Sequence, residues 1–366
     1  MAMRRGMISL AVLLVLQLAL ALLLFMRRDP LAGVTSVTVL VPPDAVRNAD
    51  HLVIEAKSGA AAGGSGSATG GPVPAGPAAG EATRLELVRK DGAWVLPASF
   101  DAPAEGAKVS ALLDRLSALK RGLPIATSEA ALRRFKVEDS DFERRLVLSA
   151  GDKALATVYF GSSPGLRKSD ARLSPDKAVY SVDLPTYELP TDSGAWLSGE
   201  LLRGDADKLT EIDIANGAAA ALVSGRVQLL RTKGTDKQPD SWAAPALTGE
   251  QHVDAARVES LLQQIRQMHV DSVLGTAPRP EWQQDHPVLT LQLKDEKAHE
   301  VDWTLSRPQN GDSYVLKSSS QPWFFSISAA AGKQLTDAAA RDSLIASPKA
   351  ATPSPGKAPA KPAGKS

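Results

Sequence analysis

Residues Met7 to Met26 form one apolar run broken only by Ser9 and Gln17, and Arg4, Arg5, Arg27 and Arg28 fence it on both sides. A helix of that length, at about 1.5 Å per residue, spans the roughly 30 Å hydrocarbon core of a bilayer. Beyond Pro30 the chain is too polar to enter one. The run is therefore expected to be a transmembrane helix over residues 7–26 that carries one large outer body. A cleaved secretory signal also starts with a charged head and an apolar stretch, but its apolar region runs about 7 to 15 residues and ends at a small-x-small site. Here Ala19-Leu20-Ala21 lies inside the run and Leu22 to Phe25 continue past it. With the amino group counted, the head before the run is the more positive flank. That places the head in the cytoplasm and the body outside, which for a bacterium means an inner-membrane anchor and a periplasmic body.

Cysteine is absent, which removes disulfides, thiolate nucleophiles, zinc-thiolate sites and a lipoprotein anchor together. The net charge is +1 with acids and bases interspersed, so the chain offers no electrostatic footprint for nucleic acid. The body, roughly 335 residues, exceeds a typical single domain and is expected to hold two cores. Lys57 to Gly80 is almost entirely Gly, Ala, Ser and Pro, and Ser347 to Ser366 is mainly Ala, Pro and Lys. Neither has enough large apolar groups to offset its ordering entropy, so both are expected to be disordered. The first reads as an insertion in a loop, where added length costs little. The second carries Lys349, Lys357, Lys361 and Lys365 and is either a plain solvated tail or a contact for anionic lipid or wall polymer.

An apolar pattern repeats at an offset of about 149 residues, from Trp94 and again from Trp242. Val109, Leu112, Leu113, Leu116 and Leu119 follow the spacing of one buried helical face, and Val258, Leu261, Leu262, Ile265 and Met268 do the same at the matching places. Each helix follows a Trp-bearing strand end and a Pro-bearing turn, and Asp254 is placed to cap the second. Two hairpins then follow in each copy. Arg145–Leu148 with Ala156–Phe160 and Ala171–Leu173 with Val179–Val182 correspond to Val288–Leu293 with Val301–Leu305 and Tyr314–Leu316 with Phe324–Ile327. Val37–Val41, His51–Glu55 and Leu85–Val88 are expected to begin the first sheet, and Ile212–Ile214 and Val227–Leu230 the second. The fold expected is α+β: a transmembrane helix, then two duplicated units of antiparallel hairpins, each with one main amphipathic helix. The boundaries expected are head and anchor at 1–29, a first unit at 30–204 with the insertion at 57–80, a second at 205–346, and a tail at 347–366.

No constellation carries a reaction. The five histidines, His51, His252, His269, His286 and His299, show no metal-binding spacing. Glu138-Asp139 with Asp141, and Asp295-Glu296, sit among Lys and Arg and read as solvated turns rather than as a pair whose acidities a pocket separates. The most distinctive loop is Gly161-Ser162-Ser163-Pro164-Gly165-Leu166-Arg167-Lys168. It meets the letters of a nucleophile elbow, but Pro164 removes the N–H that would serve an oxyanion hole, and a strand follows rather than a helix. The reading left is a Pro-Gly turn closing a hairpin. Ser162, Ser163, Pro164, Gly165, Arg167 and Lys168 are the candidate interaction residues, with no catalytic, metal or cofactor residues expected.

Val88 to Pro97, Leu112 to Leu116, Ala126-Thr127-Ser128 with Arg134 to Val137, Gly161 to Gly165 and Val179-Tyr180 resemble the bacterial proteins grouped as domain of unknown function 4340. The resemblance covers most of residues 1 to 205, the second unit more weakly, and the insertion at Lys57 to Gly80 departs from it. It carries over no catalytic residue. What it implies is a partner: members are encoded beside an ABC transporter ATPase, its permease and an auxiliary membrane protein like those of the gliding-motility transporter. The function expected is an accessory or scaffold subunit that contacts the permease and the auxiliary subunit and enters the bilayer through residues 7–26. The alternatives are an envelope hydrolase centred on Ser163 or a carboxylate pair, and a polysaccharide-binding module that uses exposed Trp.

Overall fold

The computed structural model describes Gln17 and residues 38–57, 83–202, 206–217, 226–235 and 240–346. The expected anchor, Gln17 apart, lies outside the described residues, as do residues 58–80 of the expected insertion and the expected tail at 347–366. Among the described residues no helix is long and apolar enough to cross a membrane.

The fold is mixed α+β, mostly sheet with few helices. The first elements are β1 (Thr38–Val39), α1 (Pro43–Arg47), β2 (His51–Ala56), β3 (Thr83–Lys90), β4 (Ala93–Leu96) and β5 (Ala102–Pro103). They are followed by α2 (Gly106–Ser117), β6 (Lys120–Arg121), α3 (Glu129–Arg134), β7 (Arg144–Ala150), β8 (Lys153–Phe160), β9 (Ser169–Leu173) and β10 (Tyr180–Val182). Next come β11 (Leu209–Asn216), β12 (Arg226–Thr232), β13 (Ser241–Ala243), β14 (His252–Val253), α4 (Ala255–Arg266) and β15 (Ser272–Gly275). The last are β16 (Leu289–Asp295), β17 (Glu300–Ser306), β18 (Tyr314–Ser318), β19 (Phe324–Ile327), α5 (Ala329–Ala338), α6 (Arg341–Leu344) and β20 (Ile345–Ala346).

Two eight-stranded sheets dominate, in the orders β10-β9-β8-β7-β2-β3-β4-β5 and β13-β12-β11-β16-β17-β18-β19-β15. Both grow from the same connection: a strand (β2, β11) lies between its successor in sequence (β3, β12) and the strand that returns after the main helix (β7, β16), from which hairpins run outward. The inner pairs are apolar on matching faces, Leu52 opposite Leu148 and Ile54 opposite Leu146 in one sheet, Ile212 opposite Leu293 and Ile214 opposite Leu291 in the other. All eight side chains are buried, as expected of aligned apolar positions two residues apart on a pleated strand.

The helical stripes read from the sequence face inward. Val109, Leu112, Leu116 and Leu119 are buried along and just past α2, and Val258, Leu261, Leu262 and Ile265 along α4. Asp254 caps α4, its carboxylate accepting the Ala256 and Arg257 N–H groups at 3.0 and 3.2 Å. One strand expectation fails. Thr38 and Val39 do not begin the first sheet but pair with Arg121 and Lys120 in a separate two-stranded ladder. Pro42 and Pro43 follow at once, and with no N–H to donate they end the strand and start α1 instead.

By packing density the described residues form two compact units, one of 38–57, 83–84 and 110–190, the other of 85–109 and 191–346. In the second, α4 packs on α5 and α6.

Candidate functional site

The loop at residues 161–168 joins β8 to β9 as a built structure. Its base continues the ladder: Gly161 N–H donates to Asp170 O at 2.9 Å, and Asp170 N–H to Ser162 O at 2.8 Å. Its flank docks on the turn that ends α3, where Ser162 N–H donates to Phe135 O at 3.0 Å. A Cβ on Gly161 would overlap Phe135 O and stand 2.5 Å from Lys136 O, so only glycine permits this approach. Lys136 itself has φ +54°, which turns the chain so that these carbonyls face the loop.

Ser163 Oγ lies 2.8 Å from Gly165 O and 2.7 Å from Lys168 O, so its hydroxyl is used inside the loop. Pro164, Gly165, Leu166, Arg167 and Lys168 are exposed. Lys168 Nζ is 3.4 Å from the Asp183 carboxylate. Leu166, at the tip, is 98% exposed.

Beneath the loop, Asp170 is only 2% exposed, and its Oδ1 has no hydrogen-bond partner among the described residues. Burial pushes its carboxyl above the usual carboxylate range; Arg134 opposes this and Glu143 adds to it. The Arg134 guanidinium is 4.6 Å from the centre of the Phe135 ring, and Lys136 Nζ is 3.9 Å from Glu143.

Most of the candidate carboxylates are paired. Asp139 is ion-paired with the buried Arg172, and Glu138 lies 3.8 Å from Arg133. Asp295 accepts the N–H groups of Lys297 and His299 at 2.7 and 2.9 Å, which closes the β16–β17 turn, and Glu296 pairs with Lys233 at 2.8 Å. His299 Nδ1 is 3.1 Å from Asp295, and His269 and His286 are exposed. Among the described residues no group of three or more His, Asp or Glu is placed to hold a metal ion.

Two features had no local signal in the sequence. Phe100 and Asp101 both adopt the left-handed region, at φ +58° and +56°, which is uncommon for a bulky residue such as Phe100. Phe100 is 47% exposed, and its carbonyl accepts the Trp323 indole N–H at 3.0 Å across 223 residues of chain. The second is a groove of about 330 Å³ between α4, α5 and α6, lined by Arg257, Ser260, Gln264, Gln334, Asp337 and Ser343. Its walls are polar, unlike the largely apolar walls of most tight small-molecule sites.

Residues 94–287 match the model of the family described as Domain of unknown function (DUF4340). The chain belongs to this family. The DUF4340 match starts at Trp94, takes in α2, the 161–168 loop and α4, and so reaches well into the second sheet. Val88–Ala93 and the apolar run at 7–26 fall outside it. No curated protein and no solved structure matches this DUF4340 chain.

Proposed function

We propose that this DUF4340 chain is an accessory or scaffold subunit of an ABC-type transport system, anchored in the bacterial inner membrane by residues 7–26. Its periplasmic body recognises and does not catalyse. The observation that carries the reading is the 161–168 loop: its hydroxyl and amide groups are tied inward, while Leu166 and Arg167 project outward. A nucleophile needs the reverse, a hydroxyl free to meet a base and a substrate. The implied partners are a permease, beside which the anchor packs, and an auxiliary membrane subunit. The test is co-purification in mild detergent with a tagged permease encoded beside this chain. Recovery of the chain with the permease is expected; a permease that purifies without it, while the tagged chain brings down neither permease nor auxiliary subunit, sinks the reading.

We also infer that the two sheets descend from one duplicated unit. The support is their common strand order, the matched apolar faces of α2 and α4, and the Trp-bearing strands β4 and β13 ahead of them.

A second reading, a polysaccharide-binding body, finds no exposed Trp to use, since all six are buried or half-buried, and rests instead on the 47% exposed Phe100, whose backbone carbonyl accepts the Trp323 indole N–H. It expects retardation of the solubilised chain in gels cast with wall polysaccharide, abolished by Phe100→Ala. Equal mobility with and without the polysaccharide rules it out.

A further inference from the structure

We propose that the edge of the first unit around β10 is a docking surface for an anionic phospholipid bilayer, with Leu166 entering the headgroup layer. The proposal deepens the anchored reading above and rests on it. Of the five large apolar side chains most exposed among the described residues, four lie around this edge: Leu123, Ile125, Leu166 and Tyr187, the fifth being Phe100. The segment with Leu123 and Ile125 runs beside β10, since Ile125 N–H donates to Val179 O at 2.8 Å and Ala126 bridges Val179. The 161–168 loop meets the other end of β10, where Lys168 pairs with Asp183 and Ser169 lies opposite Val182. Tyr187 stands on the short turn of 3-10 helix, Thr186–Glu188, that follows β10.

The unpaired charge at this edge is mostly basic. Lys120 and Arg167 make no ion pair among the described residues, and Arg121 meets Thr38 Oγ1 and the Tyr180 hydroxyl rather than an acid. Of the acids nearby, Asp183 is matched by Lys168 and Glu188 by Arg115, while the exposed Asp176, in the turn before β10, makes no ion pair among the described residues. Exposed aliphatic and tyrosine side chains among unmatched cations are what an interfacial surface presents to anionic lipid, the apolar groups entering the headgroup boundary and the cations meeting phosphate. A soluble acidic partner explains the cations but not a leucine exposed at a loop tip with three apolar neighbours around one edge.

The path of the chain selects the bilayer. Thr38 and Val39 are paired to Arg121 and Lys120 beside β10. The segment between the apolar run and Thr38, residues 27–37, extends at most about 40 Å. The strand by which the chain arrives from the anchor is thus stitched into the edge that carries the apolar and cationic groups. Partition is then assisted by the anchor, which holds the surface near the membrane at high effective concentration.

The chain has no cysteine, so single labels are clean. Full-length chain carrying Leu166→Cys or, as a control at the far end of β8, Lys153→Cys is labelled with an environment-sensitive fluorophore and placed in nanodiscs of phosphatidylcholine with or without phosphatidylglycerol. The label at 166 should shift to the blue and be quenched by nitroxide lipid in the anionic discs, while the label at 153 stays aqueous. Removing one cation, as in Arg167→Gln, should lower the surface equilibrium about fivefold, and Arg167→Glu with Lys168→Glu should abolish the shift. A chain that elutes with the discs but keeps an aqueous label at 166 overturns the docking surface alone. A shift that appears only when permease is present assigns the surface to protein and also overturns it. A chain that never enters the discs overturns the anchor and this surface with it.

Discussion

The backbone carbonyl of Phe135 fills the space that a side chain on Gly161 would need, and the same oxygen accepts the Ser162 N–H at 3.0 Å. One atom therefore both shapes the loop and fixes its place on the turn after α3. Gly161→Ala should lower stability by about 1–3 kcal/mol, the usual range for forcing an extra methyl into packed structure. Gly165→Ala, where nothing lies within 4 Å of an added Cβ, is the matched control and should be close to neutral. Thermal unfolding of the solubilised chain followed by circular dichroism compares the two, and equal midpoints would show that the loop does not depend on this approach.

The contrast between those glycines marks what the sequence could reveal. Gly-Ser-Ser-Pro-Gly announces a turn between two alternating strands, and a turn is there. Nothing local says that residue 162 will bond residue 135, because that contact depends on where α3 ends. The same limit hid the Phe100–Trp323 bond, while α2 and α4 were legible because Leu and Val recur at helical spacing. The helix α5 was missed for the opposite reason: in Ala-Ala-Ala-Gly-Lys-Gln-Leu-Thr-Asp-Ala the only large apolar residue is Leu335, so no stripe marks its buried face. Thr38–Val39 misled because alternation predicts a strand without naming its partner, and the prolines after it decided that.

Arg172 is buried under the first sheet's edge with its Nε–H on Val137 O at 2.6 Å, its Nη1 on Asp176 O at 3.2 Å and its guanidinium 4.5 Å from the Tyr159 ring centre. A lysine cannot reproduce that fork, so Arg172→Lys should cost about 1–3 kcal/mol. Its bond to Asp139 holds that carboxyl below the usual carboxylate range. A depressed folded value means that the contribution is present above the unfolded value of about 4 and is lost as pH falls through the folded value. Asp139→Asn should therefore be less stable than wild type at neutral pH and should lack this part of the acid slope below about pH 4. A wild-type slope retained in Asp139→Asn would assign the acid loss elsewhere.

For Asp170 the sign is opposite. Burial raises its carboxyl, with Glu143 adding and Arg134 opposing, so the folded state holds the proton to higher pH than the unfolded chain does. Stability then falls as pH rises from the ordinary aspartate value of about 4 toward the raised one. Asp170→Asn keeps the shape and removes the charge. It should be more stable than wild type at neutral pH, and the gap should close below about pH 4, where the wild-type group is protonated in both states. Unfolding midpoints across that interval decide it, and a variant less stable than wild type at neutral pH would mean that Arg134 holds the ionised form after all.

In α5 helix propensity and packing oppose each other at one residue. Replacing a helical glycine by alanine gains about 1 kcal/mol of propensity, but a Cβ on the buried Gly332 would stand 2.5 Å from Tyr314 Cγ and closer still to Cδ2. These atoms lie at the root of the ring, which β18 holds in place, so a rotation at the far end of the side chain does not clear them. Overpacking of this kind costs about 1–3 kcal/mol, which outweighs the gain, and Gly332→Ala should be destabilised. Replacing the ring as well, in Gly332→Ala with Tyr314→Ala, should recover stability relative to Tyr314→Ala alone, because the propensity gain is then unopposed. A Gly332→Ala chain that melts above wild type would show that Tyr314 moves aside at little cost.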